Sequence, residues 1–457
     1  MSDFREAVLT HVRAKEVNDL KKILNEANAL DIINIMDEMS NEELVLAYRL
    51  LNKDLALEVF EGLDQNDQQK LVSSLTERDA VAVFAELAPD DRVRLLDELP
   101  AGVAKRMIAS LNREDRAEIN LLMGFEPETA GRWMTPDFVR LPSDWTAGHA
   151  LQQLRTFAKS KETIYTMFVT NQYRKLKGVL GLRELLIADE ETLVGDLMDT
   201  EFASFSTDTD QEELAKSMQT LELLAAPIVD KEGRLIGIVT IDDAMDILQD
   251  EATEDILNSA GLAGRDVTES ETTRSATLVE GNYFKIWRAR LPFLFITLAA
   301  GFLSANVIGV FEETLEAVAV IAVFIPVIMD MGGTIGTQSS TIFTRGMLLG
   351  HIKLTSIWKH VLKEVGVGLS LGLIMGFLTG LAAYLWQGIP ELSLALGLSL
   401  VFAMTLASAL GFIIPFTLYK LKIDQATGTG PLITSIKDIT GLTIYFLLAS
   451  ALLSHLM

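Results

Sequence analysis

Residues 365–386 read VGVGLSLGLIMGFLTGLAAYLW and contain no charged side chain. A helix needs about 20 apolar residues to cross roughly 30 Å of hydrocarbon. Four further stretches of this kind lie at about 292–311, 317–336, 392–419 and 434–455. The sequence therefore predicts a five-helix transmembrane domain, which we place at residues 291–457.

Charge is distributed unevenly along the 457-residue chain. Of its 39 basic and 63 acidic residues, 10 and 8 lie in residues 281–457, which leaves 29 and 55 for residues 1–280. An acidic soluble part with a net charge of −26 thus precedes an apolar domain with a net charge of +2. The excess of acid argues against nucleic-acid binding, which needs a basic face. The absence of cysteine excludes disulfides, thiolate metal sites and cysteine catalysis.

The basic residues between the predicted spans indicate the orientation of the chain. Short cytoplasmic loops of membrane proteins carry an excess of lysine and arginine. Here the basic residues precede the first span and follow the second and fourth, as Lys285, Arg288, Arg290, Arg345, Lys353, Lys359, Lys363, Lys420 and Lys422. We expect a multi-pass protein of the cytoplasmic (inner) membrane, with the N-terminal part cytoplasmic and the C-terminus outside. The polar start MSDFREAVLT predicts no cleavable signal peptide.

Two acidic residues fall inside predicted spans, Asp330 in IPVIMDMGG and Asp438 in SIKDITGL. A charge at bilayer depth costs about 2.5–3.5 kcal/mol and usually faces a cavity or a partner. The neighbouring Lys437 is not expected to pair with Asp438, because consecutive helix residues do not face each other. The two acids indicate a cation pathway, with a structural ion pair or a protonated carboxyl as the alternative.

Glycines flank both acids, namely Gly332, Gly333, Gly336, Gly428, Gly430 and Gly441. Glycine lets irregular backbone present carbonyl oxygens, which membrane depth tolerates only beside protein or water. Carboxylate, carbonyl and hydroxyl oxygens, without cysteine or clustered histidine, suit Mg²⁺, Ca²⁺ or Mn²⁺ rather than copper or zinc. The membrane domain therefore predicts a hard divalent cation as its substrate.

Residues 40–123 divide into seven blocks of twelve without a gap. The blocks read SNEELVLAYRLL, NKDLALEVFEGL, DQNDQQKLVSSL, TERDAVAVFAEL, APDDRVRLLDEL, PAGVAKRMIASL and NREDRAEINLLM. Ser40 and Glu43 have the spacing of a capping box, so each block is expected to form a short helix. One such helix cannot bury its apolar stripe alone, so neighbouring helices must stack. We expect an α-helical superhelical repeat domain at residues 1–130.

Residues 131–262 mix strand-like and helical patterns. The strand-like stretches come in two pairs, TIYTMFVTN at 163–171 with LKGVLGL at 176–182, and AAPIVD at 225–230 with LIGIVTIDD at 235–243. A helical pattern precedes each pair and another follows it. The similar order of the two units predicts an internal α/β repeat.

These two units resemble a cystathionine-β-synthase (CBS) domain pair, and the whole chain resembles the MgtE family of magnesium channels. The most specific stretches are DTDQEELAKSM at 208–218, PIVDKEGRLIGIVTIDDAMDILQDEATEDI at 227–256, MGG with GTQSS at 331–340, and TGPLITSIKDITGLTIYF at 429–446. The CBS domains of CLC-type chloride channels follow the membrane part, whereas here they precede it. The resemblance implies a connecting helix at residues 263–290 between the CBS pair and the membrane domain.

The resemblance implies a homodimer with a pore between the subunits, lined by the second and fifth spans. The family's pore acid corresponds to Asp438, with backbone near Thr434 and Gly441 beside it. The family usually has asparagine after MGG, where this chain has Thr334, and Asp330 is not an acid expected from the family. Both differences bear on selectivity. They leave open Mg²⁺ or another divalent cation such as Mn²⁺ or Co²⁺, and a channel or a coupled exporter.

The resemblance also implies that acids of the cytoplasmic part sense Mg²⁺. The corresponding residues are Asp210, Glu212, Glu222, Asp243, Asp246, Glu251, Glu254, Asp255 and Asp424. Bare acidic surfaces repel, and divalent ions that bridge them would shift the population towards a compact form. We expect internal Mg²⁺ to close the pore through the connecting helix. The alternative is an ordinary solvated acidic face.

A nucleotide is a second candidate ligand. The stretch GIVTIDD at 237–243 matches the pattern by which CBS pairs hold ribose and phosphate, with Thr240 and Asp243 as the candidate ligands of ATP. The alternative is that it is only the strand–helix junction of the fold. The sequence contains no P-loop, nucleophile elbow or clustered histidine, so we expect no enzyme. A membrane-tethered nucleotide or metal sensor is the alternative to a transporter.

Overall fold

The computed structural model describes residues 2–14, 16–36, 38–262, 270–421, 423 and 427–454. The chain divides into two compact units, Met1–Ala252 with Asp266–Val279, and Thr253–Arg265 with Glu280–Met457. The first unit contains short helices and two small sheets. The second contains the long apolar helices.

Short helices form the N-terminal part of the first unit. They are α1 (Ser2–Ala14), α2 (Val17–Glu26), α3 (Ala29–Met36), α4 (Asn41–Leu50), α5 (Lys53–Glu61), α6 (Gln65–Ser74), α7 (Glu77–Phe84), α8 (Pro89–Glu98), α9 (Ala101–Ser110) and α10 (Arg113–Leu122). Each twelve-residue block supplies one helix, from α4 to α10, which confirms the predicted repeat. The predicted capping box is present, because the Ser40 N–H donates to Glu43 at 2.8 Å.

The leucines that end the blocks form part of the core. Five of them are buried, at positions 63, 75, 87, 99 and 111. The same apolar core continues into the second α/β unit through Leu214, Ile228, Val239 and Ile247. The repeat domain therefore packs on that unit, and this packing brings α8 to the acids of the helix that follows the second sheet.

The α/β part consists of two three-stranded sheets with the same topology. Its elements are α11 (Ala130–Trp133), β1 (Arg140–Pro142), α12 (Ala147–Phe157), β2 (Thr166–Thr170), β3 (Leu176–Gly181), α13 (Leu182–Ile187), α14 (Val194–Leu197), β4 (Phe205–Ser206), α15 (Gln211–Thr220), β5 (Ala225–Val229), β6 (Leu235–Thr240) and α16 (Ile241–Ser259). In each sheet the first two strands are parallel and the last two antiparallel, with Phe168 opposite Val179 and Ile228 opposite Gly237. The predicted internal repeat is confirmed.

The predicted connecting helix at residues 263–290 is described only in part. Residues 263–269 lie outside the described range, and α17 (Glu271–Glu280) follows them. The next helix starts at Tyr283, where the Asn282 side chain accepts a hydrogen bond from the Phe284 N–H at 3.1 Å. The first membrane helix thus begins before the predicted span at 292.

Among the described residues, five helical segments are long and apolar enough to cross a membrane, as predicted. The helices of this region are α18 (Tyr283–Val310), α19 (Glu312–Ala317), α20 (Ile325–Leu348), α21 (Ile357–Gln387), α22 (Pro390–Lys420) and α23 (Thr429–Leu452), and the chain also has 3₁₀ turns at Ala158–Ser160, Ala319–Phe324 and Leu354–Ser356. Small residues let α21 and α22 approach closely. A Cβ on Gly376 would lie only 2.5 Å from the Gly397 carbonyl oxygen.

Candidate functional site

A groove of about 770 Å³ lies beside α20 and α23 in the second unit. We call it the membrane groove, and its polar lining consists of Asp330, Thr334, Thr337, Gln338, Thr341, Thr434 and Lys437. Three of the five residues predicted for the pore therefore line one surface. Carboxylate, hydroxyl and amide oxygens are ligands that suit a hard divalent cation.

Asp438 contacts the lysine of the membrane groove. The Lys437 Nζ lies 2.5 Å from Asp438 Oδ1, and the side chains are 6% and 17% exposed. The expectation that these consecutive residues do not pair is wrong. The lysine side chain has four rotatable methylene groups, so its ammonium can bend back to a neighbour whose Cα points elsewhere.

The other predicted pore residues have local partners. The Thr334 hydroxyl donates to the Asp330 backbone carbonyl at 3.1 Å, and the Asp330 side chain is exposed. A Cβ added to Gly441 would lie 3.7 Å from Ile328 and 3.8 Å from Ala403, so this glycine faces the neighbouring helices of the same chain. The pore roles of these residues remain predictions.

A third acid lies within a membrane helix. Glu364 belongs to α21, whose start at Ile357 precedes the predicted span. The Ser339 hydroxyl donates to its carboxylate at 2.7 Å, and the Ser408 hydroxyl lies 3.3 Å from the same oxygen. Glu364 was not predicted as an intramembrane acid, because the uncharged run at 365–386 begins one residue after it, whereas the helix begins at Ile357.

In the first unit, charged residues of α8 and α16 meet in what we call the acid cluster, consisting of Asp90, Asp91, Arg94, Asp243 and Asp246. The Arg94 Nη1 lies 3.3 Å from Asp243 Oδ1 and 3.2 Å from Asp246 Oδ2, and Nη2 pairs with Asp91. The packing of the repeat domain on the second α/β unit creates this meeting. Only Asp243 and Asp246 were predicted. The DDR sequence at the start of α8 was the available signal, but acids there are also expected as favourable charges at a helix N-terminus.

The acid cluster is electrostatically crowded. Burial raises the pKa of Asp243 to about 6 although Arg94 opposes the rise. Burial and then the Asp243 charge raise the pKa of Asp90 well above its usual value. Burial alone would lower the pKa of Arg94, but the Asp243 and Asp91 carboxylates outweigh it and raise that pKa.

The acid cluster contains a buried carboxylate oxygen that is available to a ligand. Asp90 is 4% exposed, and its Oδ1 has no hydrogen-bond partner among the described residues. A cavity of about 420 Å³ adjoins the cluster and is also lined by Glu61, Asp64 and Asp250. Carboxylate oxygens are the kind of ligand that Mg²⁺ and Ca²⁺ take in proteins.

An aromatic side chain links the acid cluster to another predicted acid. The Arg94 guanidinium lies 5.1 Å from the centre of the Trp133 ring. The Trp133 indole N–H donates to Gln211 at 2.7 Å, and the Gln211 amide donates to Glu251 at 2.5 Å. Glu251 is therefore connected to Arg94 of the cluster through the side chains of Trp133 and Gln211.

Three predicted acids have contacts local to α15. The Asp210 side chain caps the helix and accepts from the N–H groups of Glu212 at 3.0 Å and Glu213 at 3.2 Å. Glu212 pairs with Lys216 one turn later. Glu222 is exposed after the helix, with a φ of 54°. The three acids thus act as a helix cap, an ion-pair partner and a surface residue, and their role in sensing Mg²⁺ remains a prediction.

The last predicted acids lie near the end of α16. Glu254 accepts a hydrogen bond from the Asn258 amide at 3.1 Å, and Asp255 is partly buried on the same helix. The Asn258 carbonyl accepts from the Gly428 N–H at 2.8 Å, immediately before α23. The end of α16 thus contacts the start of the helix that carries the predicted pore acid. Asp424 lies outside the described residues.

The two predicted nucleotide ligands are bonded to each other. The Thr240 hydroxyl donates to Asp243 Oδ2 at 2.7 Å, and both residues are 5% exposed. Asp243 also pairs with Arg94. Both side chains thus have partners within the protein, and their role as ATP ligands remains a prediction.

Comparison with known proteins decides the family. The chain is 36% identical over 439 residues to the magnesium transporter MgtE of Thermus thermophilus, which covers 95% of both chains. It is 30% identical to the magnesium transporter MgtE of Bacillus subtilis, over 98% of this chain and 97% of the relative. This chain belongs to the MgtE family. Family models match a divalent cation transporter at residues 325–448, an MgtE intracellular N domain at 27–128, and CBS domains at 130–191 and 194–250.

A solved structure agrees with the fold of the first unit. It is described as the cytosolic domain of the Mg²⁺ channel MgtE in complex with ATP, and it matches 53% of this chain and 99% of its own length. The TM-score is 0.51 and the sequence identity 33%. The multidomain membrane fold predicted for an MgtE protein, with helical repeats, a CBS pair and five membrane helices, is confirmed.

Proposed function

We propose that this chain moves Mg²⁺ across a membrane through its five-helix domain and that Asp438 attracts the ion. The observation that carries the proposal is the membrane groove, where oxygens of Asp330, Thr334 and Thr434 form a polar surface beside Asp438 among apolar helices. Mg²⁺ loses its water reluctantly, so oxygen donors can hold the hydrated ion loosely enough to release it. The relatives described as magnesium transporters support this substrate.

The test is Mg²⁺ flux by the purified full-length chain in proteoliposomes. We expect Asp438→Ala to lower the flux at least tenfold, because losing about 1.4 kcal/mol of the attraction between the carboxylate and the ion corresponds to a tenfold change in rate. Glu313→Gln is the matched control, since Glu313 is an exposed acid of the short helix α19. A wild type no faster than empty vesicles would end the proposal, and full flux by D438A would remove Asp438 from it.

A second candidate substrate is another divalent cation such as Mn²⁺ or Co²⁺, moved by a channel or a coupled exporter. The exposed Thr334 and Asp330 side chains on the membrane groove favour it, because they add a hydroxyl and a carboxylate to its lining. Flux of Mg²⁺, Mn²⁺, Co²⁺ and Ca²⁺ with and without a proton or sodium gradient separates the candidates. The same measurements on Thr334→Asn and Asp330→Asn show which of the two side chains determines the relative flux of these cations.

We further propose a homodimer in which the membrane groove faces the partner subunit. The chain has no cysteine, so one introduced cysteine gives an unambiguous cross-link. Thr334→Cys should cross-link and Leu385→Cys, which is 76% exposed on α21, should not. The reverse result would place the dimer axis elsewhere.

The proposed orientation places the C-terminus outside the cell. Labelling of Ser454→Cys by an impermeant maleimide added to intact cells tests it, and no labelling would contradict it.

Internal Mg²⁺ is proposed to close the pore by binding the acid cluster. The buried Asp90 Oδ1, which has no hydrogen-bond partner in the part of the chain that the structure describes, supports a cation there. The helix α16 supports transmission, because it carries Asp243 near its start and contacts Gly428 at its end. Mg²⁺ should protect the full-length chain from protease. Asp90→Asn should raise the Mg²⁺ concentration that gives half of the maximal protection. Equal digestion with and without Mg²⁺ would contradict this proposal.

A nucleotide ligand of the CBS pair is proposed on the related structure in complex with ATP. Thr240 and Asp243 are not assigned to it, because they are buried and paired. Thr240→Val should therefore bind ATP as tightly as the wild type in a calorimetric titration. A large loss of affinity in that variant would restore the sequence prediction.

A further inference from the structure

Lys437 is a charged residue in the middle of the predicted ion path. It lies on α23, its side chain is 6% exposed, and it also lines the membrane groove. A lysine at this depth is costly, so it must have partners that stabilise the ammonium. Two are present: Asp438, with Nζ at 2.5 Å from Oδ1, and the Met329 carbonyl, to which Nζ donates a hydrogen bond.

The pair with Asp438 is an electrostatic contact rather than a directed hydrogen bond. Among the described residues no group makes a well-oriented hydrogen bond to Asp438 Oδ1, although this oxygen is fully shielded. The Lys437 ammonium donates its hydrogen bond to the Met329 backbone carbonyl on α20 instead. The Asp438 oxygen thus keeps the capacity to accept another ligand once the ammonium moves.

The glycine pair of α20 provides the space for the ammonium. A Cβ on Gly333 would lie 3.0 Å from Lys437 Nζ, and one on Gly332 would lie 3.3 Å from Cδ. With a Cβ at either position, the end of the lysine side chain would have to shift by a few tenths of an ångström. The MGG sequence at 331–333, which resembles the family motif, therefore accommodates a lysine in this chain.

We infer that Lys437 is a tethered cation that competes with the transported divalent ion for Asp438. The inference rests on the proposed function of Asp438. Without Lys437 the acid would attract the ion with its full charge. With Lys437 at 2.5 Å, the charges of the pair cancel, and a metal must displace the ammonium before it contacts the oxygen.

The consequence is weaker binding and faster release. A divalent ion near Asp438 is repelled by the ammonium, and the ammonium returns to the carboxylate when the ion leaves. Lys437 therefore sets the affinity of the site: it lowers the apparent affinity for the ion and keeps the path from trapping it.

The test compares concentration dependence of Mg²⁺ flux in proteoliposomes for the wild type, Lys437→Met and Lys437→Arg. We expect K437M to lower the apparent KM at least about tenfold and to lower the maximal rate, because binding tightens and release slows. K437R retains the positive charge and should therefore leave the apparent KM nearer to that of the wild type than K437M does. Lys420→Met, which removes a lysine that lies over the Phe416 ring, is the control and should change neither value.

A purely structural lysine gives a different result. In that case K437M loses folded protein or maximal rate without a lower KM, which would overturn the inference. If K437M does not fold, Lys437→Gln provides the same neutral test. Failure of the proposed function is distinguishable, because then the wild type itself gives no flux. In that case Mn²⁺ binding to the detergent-solubilised chain, measured by electron paramagnetic resonance, still tests the inference. K437M should bind Mn²⁺ more tightly than the wild type, and adding D438N should abolish the gain. Equal Mn²⁺ affinity of K437M and the wild type would overturn the inference.

Discussion

Replacing Arg94 with methionine tests whether a single guanidinium holds the acid cluster together without metal. The Arg94 Nη1 lies 3.3 Å from Asp243 and 3.2 Å from Asp246, and Asp243 is almost fully buried. Removing one partner of a buried pair costs about 3–5 kcal/mol. Asp246 is 64% exposed, and such pairs contribute little, so we take the lower end of about 3 kcal/mol.

This loss is large enough to measure in the full-length chain. A change of 1 kcal/mol shifts the unfolding temperature of a unit of this size by about 2–4 °C, so R94M should lower it by about 6–12 °C in EDTA. Saturating Mg²⁺ should recover most of the loss, because a ligand at one hundred times its Kd stabilises by about 2.7 kcal/mol. Arg49→Met removes a well-exposed ion pair with Asp79 in the same repeat domain and is the matched control.

Two results would refute this reasoning. The first is an R94M unfolding temperature no lower than that of R49M in EDTA, which would mean that Arg94 does not stabilise the cluster. The second is a difference in unfolding temperature between R94M and the wild type that Mg²⁺ does not reduce, which would mean that no cation takes over the role of the guanidinium. Thermal scans of the two variants and the wild type, with and without Mg²⁺, provide both comparisons.

Three further predictions concern the rest of the molecule. Because the folded pKa of Asp243 is raised to about 6, folding binds protons, and metal-free stability should fall as the pH rises from about 4 to 7. Urea midpoints across that range measure it. Gly376→Ala should destabilise the detergent-solubilised membrane domain, because its Cβ would lie 2.5 Å from the Gly397 carbonyl, whereas Gly366→Ala has open space and should not. Phe84→Ala in the repeat core should cost about 3–5 kcal/mol by chemical denaturation.

The repeat helices could be predicted because their signals are local. A block of twelve with a capping residue at its start and a leucine at its end specifies one short helix wherever it occurs. The Ser40 and Glu43 pair forms as expected, and the block-final leucines pack inward. The membrane helices were predictable for the same reason, since length and apolarity are properties of one segment.

The acid cluster was not predictable in full because its members come together only through tertiary packing. Arg94 and Asp246 are 152 residues apart in sequence, and no local pattern joins α8 to α16. Acids at the start of α8 had an adequate local explanation as helix N-terminal charges. The prediction therefore contained the residues of α16 and missed those of α8.

The Lys437 pairing was missed for a different reason. The helical periodicity that separates consecutive residues applies to Cβ directions, whereas a lysine ammonium lies four methylene groups further out. The glycines at 332 and 333 leave the space in which that side chain bends back, and their role depends on α20 packing against α23. Helical periodicity therefore predicts the direction of the Lys437 Cβ but not the position of its Nζ.

Both candidate cation sites contain a positively charged side chain of the protein itself. Arg94 contacts three carboxylates of the acid cluster, and Lys437 contacts Asp438. Carboxylates close enough to bind a divalent ion repel one another when no ion is bound, and a tethered cation reduces that repulsion at the cost of affinity. The metal-free form is then stable, and metal binding becomes an exchange of one cation for another. If this is correct, R94M and K437M should shift Mg²⁺ dependence in the same direction, towards lower concentrations, at two sites that share no residue.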